Sequence, residues 1–78
     1  MFKGQRLLEL RRMFGVSQQA LANAINVSKV AICSYEKGNR IPSLKNLIDL
    51  ADYFEVTTDY LLGRDSLKDK KKNNNVFK

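Results

Sequence analysis

Residues 17–38, SQQALANAINVSKVAICSYEKG, constrain the fold of this chain more than any other stretch. Leu21, Ala22 and Ile25 recur at helical spacing. After a break at Asn26 and Val27 the pattern resumes with Ile32 and Tyr35. Spacings of three and four give each of two short helices, 18–25 and 29–37, one apolar face. Ser17 and Ser28 stand just ahead of the two halves, where a hydroxyl accepts a hydrogen bond from an otherwise unpaired first-turn N–H. Asn26 falls at the junction, where a left-handed residue is wanted and asparagine tolerates that conformation better than most. Gly38 ends the second half. Two helices of about two turns each do not hold together alone in water, so the rest of the chain must supply what they pack on.

That support is legible on both sides. Residues 3–13 read as a first helix with Leu7, Leu10 and, one turn on, Phe14 as its inward stripe; Gly15 follows as a left-handed stop, and Leu8 lies off the stripe. Pro42 and the cap Ser43 launch a fourth helix over 44–55. Its apolar residues Leu44, Leu47, Ile48, Leu50, Ala51 and Phe54 cover more of its circumference than one side of a small bundle requires. Asp49, Asp52 and Glu55 point elsewhere. Thr57 or Thr58 caps a last short helix over 59–62, ended by Gly63. Leu61 and Leu62 are adjacent and cannot both face the same core direction. Either one of them, with Tyr60 or Phe54, is free for a partner chain, or both finish the core of the single chain. The expected architecture is all-α with five helices.

A length of 78 residues leaves room for one domain, over 1–65, and a polar basic tail over 66–78 that is too poor in apolar residues to build a core. No stretch approaches a membrane span and the amino terminus lacks an apolar signal run, so a soluble intracellular protein is expected. With no histidine and a single cysteine, Cys33, the chain has no intrachain disulfide framework and no Cys/His zinc site. Cys33 reads as a small helix residue, with a redox role as the alternative. No metal and no cofactor are expected. The absence of histidine and of a phosphate-cradling glycine loop argues against an enzyme, and Asp49, Asp52 and Glu55 recur as a solvated helix face does.

The net charge of +6 is unevenly spread. Residues 1–40 hold seven basic and two acidic side chains, residues 41–63 one basic and four acidic, and residues 64–78 six basic and two acidic. Positive charge therefore collects with the second helix of the short pair and in the tail, where a phosphate backbone would attract both.

The short pair has the layout of a helix-turn-helix. Ser17-Gln18, Leu21-Ala22, Val27-Ser28, Ile32 and Tyr35-Glu36-Lys37-Gly38 resemble the XRE family of phage-repressor and Cro-like DNA-binding domains. Ile41-Pro42-Ser43-Leu44, Leu47, Leu50-Ala51, Phe54-Glu55-Val56 and Asp59-Tyr60-Leu61-Leu62-Gly63 resemble the last two helices of the same family. The resemblance covers about residues 3–63, with its motifs in the family's order, and departs from it at Asn26, where the family usually has glycine.

The resemblance implies a five-helix phage-repressor-like domain in which helices 2 and 3 form the helix-turn-helix and helix 3 enters the major groove of double-stranded DNA. It implies a cytoplasmic, bacterial or phage-encoded transcriptional regulator, most simply a small repressor that binds a twofold-symmetric operator as a homodimer. Lys29, Val30, Ala31 and Ser34 match the family's base-reading positions. Lys29 can donate to guanine O6 and N7, Val30 or Ala31 can pack on a thymine methyl, and Ser34 can bond to several bases. With no Arg, Asn or Gln among them, readout per residue is modest, and DNA shape and two half-sites must contribute. Gln18, Ser28, Lys37, Asn39 and Arg40 are the phosphate-contact candidates, Arg11 and Glu36 match a structural ion pair, and Phe54, Tyr60, Leu61 and Leu62 are the dimer candidates. The alternative function is an interaction adaptor of the same fold, such as an antitoxin-type regulator, that binds a partner protein through helices 4 and 5.

Overall fold

Four of the five helices begin on a hydroxyl. The computed structural model describes residues 2–64, in the order α1 (Gly4–Met13), α2 (Gln18–Ile25), α3 (Lys29–Lys37), α4 (Leu44–Phe54) and α5 (Thr58–Leu62). The tail expected over 66–78 lies outside the described residues. The side chains of Ser17, Ser28, Ser43 and Thr57 accept from the backbone N–H of Ala20, Ala31, Asn46 and Tyr60 at 3.0–3.2 Å. Each such cap contributes about 1 kcal/mol. Thr57 is thus the cap and Thr58 the first residue of α5. α1 has no side-chain cap; it is tied down instead by the Lys3 N–H, which donates to the Leu61 carbonyl at 2.7 Å.

Left-handed residues close the other ends. Asn26 terminates α2 with φ 62° and Gly38 terminates α3 with φ 80°. α4 stops at Phe54 because Glu55 turns left-handed, at φ 57°, instead of continuing the helix. A side chain with a Cβ is disfavoured there by about 1–2 kcal/mol. Glu55→Gly is therefore expected to raise stability by up to about 1 kcal/mol, the gain being trimmed by glycine's extra freedom in the unfolded chain. In a domain of this size the full gain would raise a thermal melt by roughly 4–8 °C, and a smaller gain by proportionately less.

One core joins the elements. Leu7 and Leu10 of α1, Leu21, Ala22 and Ile25 of α2, Ala31, Ile32 and Tyr35 of α3, Leu47, Leu50, Ala51 and Phe54 of α4 and Leu61 of α5 are all buried. α3 lies against α1 and α2, and α4 closes over α2 and α5. The inward stripe of α1 ends at Leu10, because Phe14 sits at the helix cap, half out of the protein, and meets Phe54 edge-on at 5.0 Å.

Two of the dimer candidates are corrected by this packing. Phe54 is 2% and Leu61 0% exposed. Of the adjacent leucines, Leu61 takes the core, since α5 is held against α1 through its own carbonyl. Leu62 and Tyr60 are partly buried against the core, and the Tyr60 ring lies under the guanidinium of Arg6, 4.5 Å from its carbon. The surplus apolar surface lies elsewhere: Ile41, Leu44 and Ile48 are 70%, 72% and 41% exposed. No helix among the described residues is long and apolar enough to cross a membrane.

Candidate nucleic-acid interface

The connection between α2 and α3 is three residues long, 26–28. The N–H of Val27 donates back to Ala22 at 2.9 Å, and Asn26 supplies the left-handed turn. The chain therefore leaves α2 and enters α3 with no slack, and α3 is then held from three directions.

Its apolar side is the first hold. Ala31, Ile32 and Tyr35 face the core. This corrects Ala31 as a base-reading candidate: only 5% of it is exposed. Its place one turn before Tyr35 (i, i+4) puts it on the same inward side.

The second hold is Glu36, whose side chain is 5% exposed and which accepts from two helices at once. Arg11 Nε donates to one carboxylate oxygen at 2.5 Å and Arg11 Nη2 to the other at 3.3 Å. Gln18 Nε2 donates to the latter oxygen at 2.9 Å, and Arg11 Nη1 reaches the Val16 carbonyl at 3.0 Å. One carboxylate thus joins α1, the start of α2 and the end of α3. Gln18, a candidate for phosphate contact by its sequence position, is here an anchor of α3. Its amide retains a second hydrogen, since an amide nitrogen carries two.

The third hold is backbone against backbone. Gly4 of α1 passes so close to α3 that a Cβ there would lie 2.6 Å from the Glu36 carbonyl oxygen and closer still to that of Tyr35. Among the residues that fix α3, Gly4 gave no sign of itself in the sequence: as the first residue of α1 it carries no side chain and no chemistry that would mark it.

The face turned away from these holds is polar and cationic. Lys29, Cys33 and Lys37 form one i, i+4, i+8 row; Lys29 and Lys37 are exposed and Cys33 is half-buried. Val30, 68% exposed, and half-buried Ser34 form the adjoining i, i+4 row. The spacing that relates the two lysines also puts Cys33, a small helix residue, between them. Ser28, at the head of the helix, is exposed while its hydroxyl accepts the capping N–H.

The exit loop is folded back over the end of α3. The Ser34 carbonyl accepts the N–H of Asn39 at 2.9 Å and of Arg40 at 3.3 Å. Lys37, Asn39 and Arg40 are all exposed. Away from this face the charge changes sign: Asp49 pairs with Lys45 at 2.7 Å, and Asp52, Glu55 and Asp59 are exposed. Phosphates would be drawn to the α3 side and repelled from α4 and α5.

A compact five-helix domain with a rigid, outward-facing third helix defines a class of protein, and the family comparison agrees. The helix-turn-helix family model matches residues 7–61. The chain belongs to this family of phage-repressor-like domains. It is 44% identical over 63 residues to the HTH-type transcriptional regulator AnsR of Bacillus subtilis (strain 168), an overlap of 81% of this chain and 54% of AnsR. It is 33% identical over 60 residues to the cryptic phage CTXphi transcriptional repressor RstR of Vibrio cholerae serotype O1, covering 77% of this chain and 54% of RstR. The chain thus spans about half the length of these two relatives. Among solved structures it resembles the P22 c2 repressor in complex with a synthetic operator, with a TM-score of 0.78 and 32% identity over 83% of this chain and 98% of the repressor chain.

Proposed function

We propose that this chain is a sequence-specific DNA-binding transcriptional regulator, a small repressor that occupies a twofold-symmetric operator. The observation that carries the reading is α3 itself. Its apolar side is locked into the core and its Glu36 is held by Arg11 and Gln18, while Lys29, Val30, Ser34 and Lys37 face outward on one rigid, cationic surface. The P22 c2 repressor, whose solved complex contains operator DNA, has the same fold, and the similar relatives AnsR and RstR are named as transcriptional regulators.

In this reading Lys29 donates to guanine O6 and N7, Val30 packs on a thymine methyl and Ser34 bonds to a base edge. Lys37, Asn39 and Arg40 on the exit loop, with Ser28 and the second amide hydrogen of Gln18, contact phosphates and set the register. Two copies meet through Ile41, Leu44 and Ile48, whose exposed side chains follow directly after the exit loop. Their two reading helices then fall about one DNA turn apart, roughly 34 Å. Bound there, the protein would exclude polymerase from the promoter.

Selection from a random duplex library, with sequencing of the bound pool, tests this directly. A twofold-symmetric motif with half-sites about one helical turn apart is the expected result. Salt-sensitive binding without enrichment of any sequence would overturn it. On the selected site, Lys29→Ala is expected to cost about 1–3 kcal/mol, with much less lost on random DNA. Arg40→Ala is expected to weaken binding to both and to lower the slope of log K against log salt by about one. Equilibrium binding across a salt series reads both effects; equal losses on both DNAs for Lys29→Ala would remove it from base readout.

A second reading, the protein-binding adaptor, draws on one observation. Met13, Phe14 and Tyr53 are 76%, 51% and 37% exposed, and the rings of Phe14 and Tyr53 flank that of Phe54 edge-on at 5.0 and 4.9 Å. A separately encoded protein that forms a stable complex lost on Phe14→Asp would favour it.

A further inference from the structure

Tyr35 is 3% exposed and counts as a core residue, yet three contacts on its ring and hydroxyl come from segments outside the packing of α3. Phe2 meets the ring at an angle of 65°, with centroids 6.3 Å apart. Asn46, in the first turn of α4, donates from Nδ2 to the Tyr35 hydroxyl at 3.2 Å. The guanidinium carbon of Arg40 stands 5.9 Å from the ring centroid. We infer that Tyr35 is a positioning residue for Arg40, a seat that holds its guanidinium ready for a phosphate; the inference rests on the DNA-binding reading above.

A guanidinium is planar, and its N–H groups lie in that plane. An aromatic ring attracts the cation at its face and leaves the in-plane N–H groups free to donate. Ring and phosphate therefore do not compete for Arg40. Both ends of the residue are placed before any DNA arrives, since its backbone N–H donates to the Ser34 carbonyl at 3.3 Å and its guanidinium carbon lies over the Tyr35 ring, 5.9 Å from the centroid. Lys37, also exposed and cationic, has no side-chain partner among the described residues. A long side chain that is free must give up its rotamers on meeting a phosphate, and one already seated has less to lose. The hydrogen bond from Asn46 ties the hydroxyl of the same side chain to α4, while the ring itself is what faces Arg40.

Sparing one long side chain part of its rotamer loss on binding corresponds to about a two- to fivefold change in affinity. The test combines binding to the selected duplex, or to any fixed duplex at low salt, with proton NMR of the free protein. In the wild type the side-chain protons of Arg40 are expected upfield of their random-coil positions through the ring current of Tyr35, and Tyr35→Leu is expected to abolish that shift. Tyr35→Leu is expected to weaken binding about two- to fivefold when Arg40 is present and to change nothing further when Arg40 is already alanine. Tyr35→Phe, which keeps the ring, is expected to stay close to the wild type.

Arg40→Lys sits in an exposed loop and supplies an arm that does not disturb the core. It keeps the charge and the salt slope but, lacking a planar face, should bind about two- to fivefold more weakly. Random-coil shifts for Arg40 in the wild type would overturn the inference. So would undiminished affinity in Arg40→Lys, or an equal effect of Tyr35→Leu with and without Arg40. If the wild type binds no duplex, the DNA-binding reading falls and the role in positioning falls with it; the NMR arm still reports separately whether the seat exists.

Discussion

Glu36→Ala is expected to destabilise the domain by about 3–5 kcal/mol, the range found when one partner of a buried ion pair is removed. The carboxylate receives three donors from two helices, two from Arg11 and one from Gln18, and its side chain is 5% exposed. Alanine would leave the Arg11 guanidinium, 15% exposed, and the Gln18 amide without that acceptor in a place where water replaces it poorly. Domains of this size have only some 5–15 kcal/mol in all, so a large share of the stability would go. Urea denaturation at neutral pH, followed by circular dichroism, reads the loss. The whole network contributes much less than breaking it costs, because burying the charges is itself unfavourable. Arg11→Met combined with Glu36→Leu should therefore recover most of the stability lost by either change alone. A loss below about 1 kcal/mol for Glu36→Ala would put the pair among ordinary surface bridges. It would also remove the main reason for regarding α3 as rigidly held.

Gly4→Ala is expected to destabilise by about 1–3 kcal/mol or more, opposite in sign to the usual glycine-to-alanine change inside a helix. Alanine is the better helix former by up to about 1 kcal/mol. Here, however, the new methyl would fall on the carbonyl oxygens of Tyr35 and Glu36, which belong to helix backbone and cannot turn aside as a side chain could. α1 would have to lift off α3, straining the Arg11–Glu36 bridge as it went. Gly38 makes an instructive contrast. A Cβ there meets nothing within 4 Å, so only the left-handed φ of 80° opposes substitution. Gly38→Ala should cost about 1–2 kcal/mol. Thermal melts of the two variants, with DNA affinity measured beside them, separate steric from conformational glycine. An unchanged or raised midpoint in Gly4→Ala would mean that α1 does not seat on α3 as closely as described.

The local features of this protein were legible because their causes are local. Ser17, Ser28 and Ser43 cap the helices they precede, Asn26 takes the left-handed turn, and α2 and α3 run over the residues that the apolar spacing indicated. A cap or a turn depends on residues within one helical turn of itself, so sequence order contains the whole cause. Glu55 shows where this reasoning ends. Its residue type and the helical spacing predict it as the last position of α4, yet it adopts the conformation that glycine or asparagine would favour, because the chain must turn there to bring α5 back to α1.

What the sequence by itself determined, then, was five helices, the serine caps of three of them, a cationic α3 and an acidic α4–α5 region. Which of two neighbouring residues faces inward was decided by tertiary packing. Ala31 is taken into the core beside Tyr35 while Val30 is left outside, and Leu61 is buried while Leu62 stays at the edge. The pairing of Arg11 with Glu36 was suggested by family resemblance alone, since 25 residues separate them and no local rule joins them. Gln18 as an added donor to Glu36, Gly4 as the point of closest approach, and Tyr35 as the meeting place of Phe2, Arg40 and Asn46 appear only when α1, α3 and α4 are in place. The physical reason is the range of the interactions. Hydrogen bonding within a turn is settled by neighbours in the chain, whereas burial and ion pairing depend on what the folded chain brings alongside.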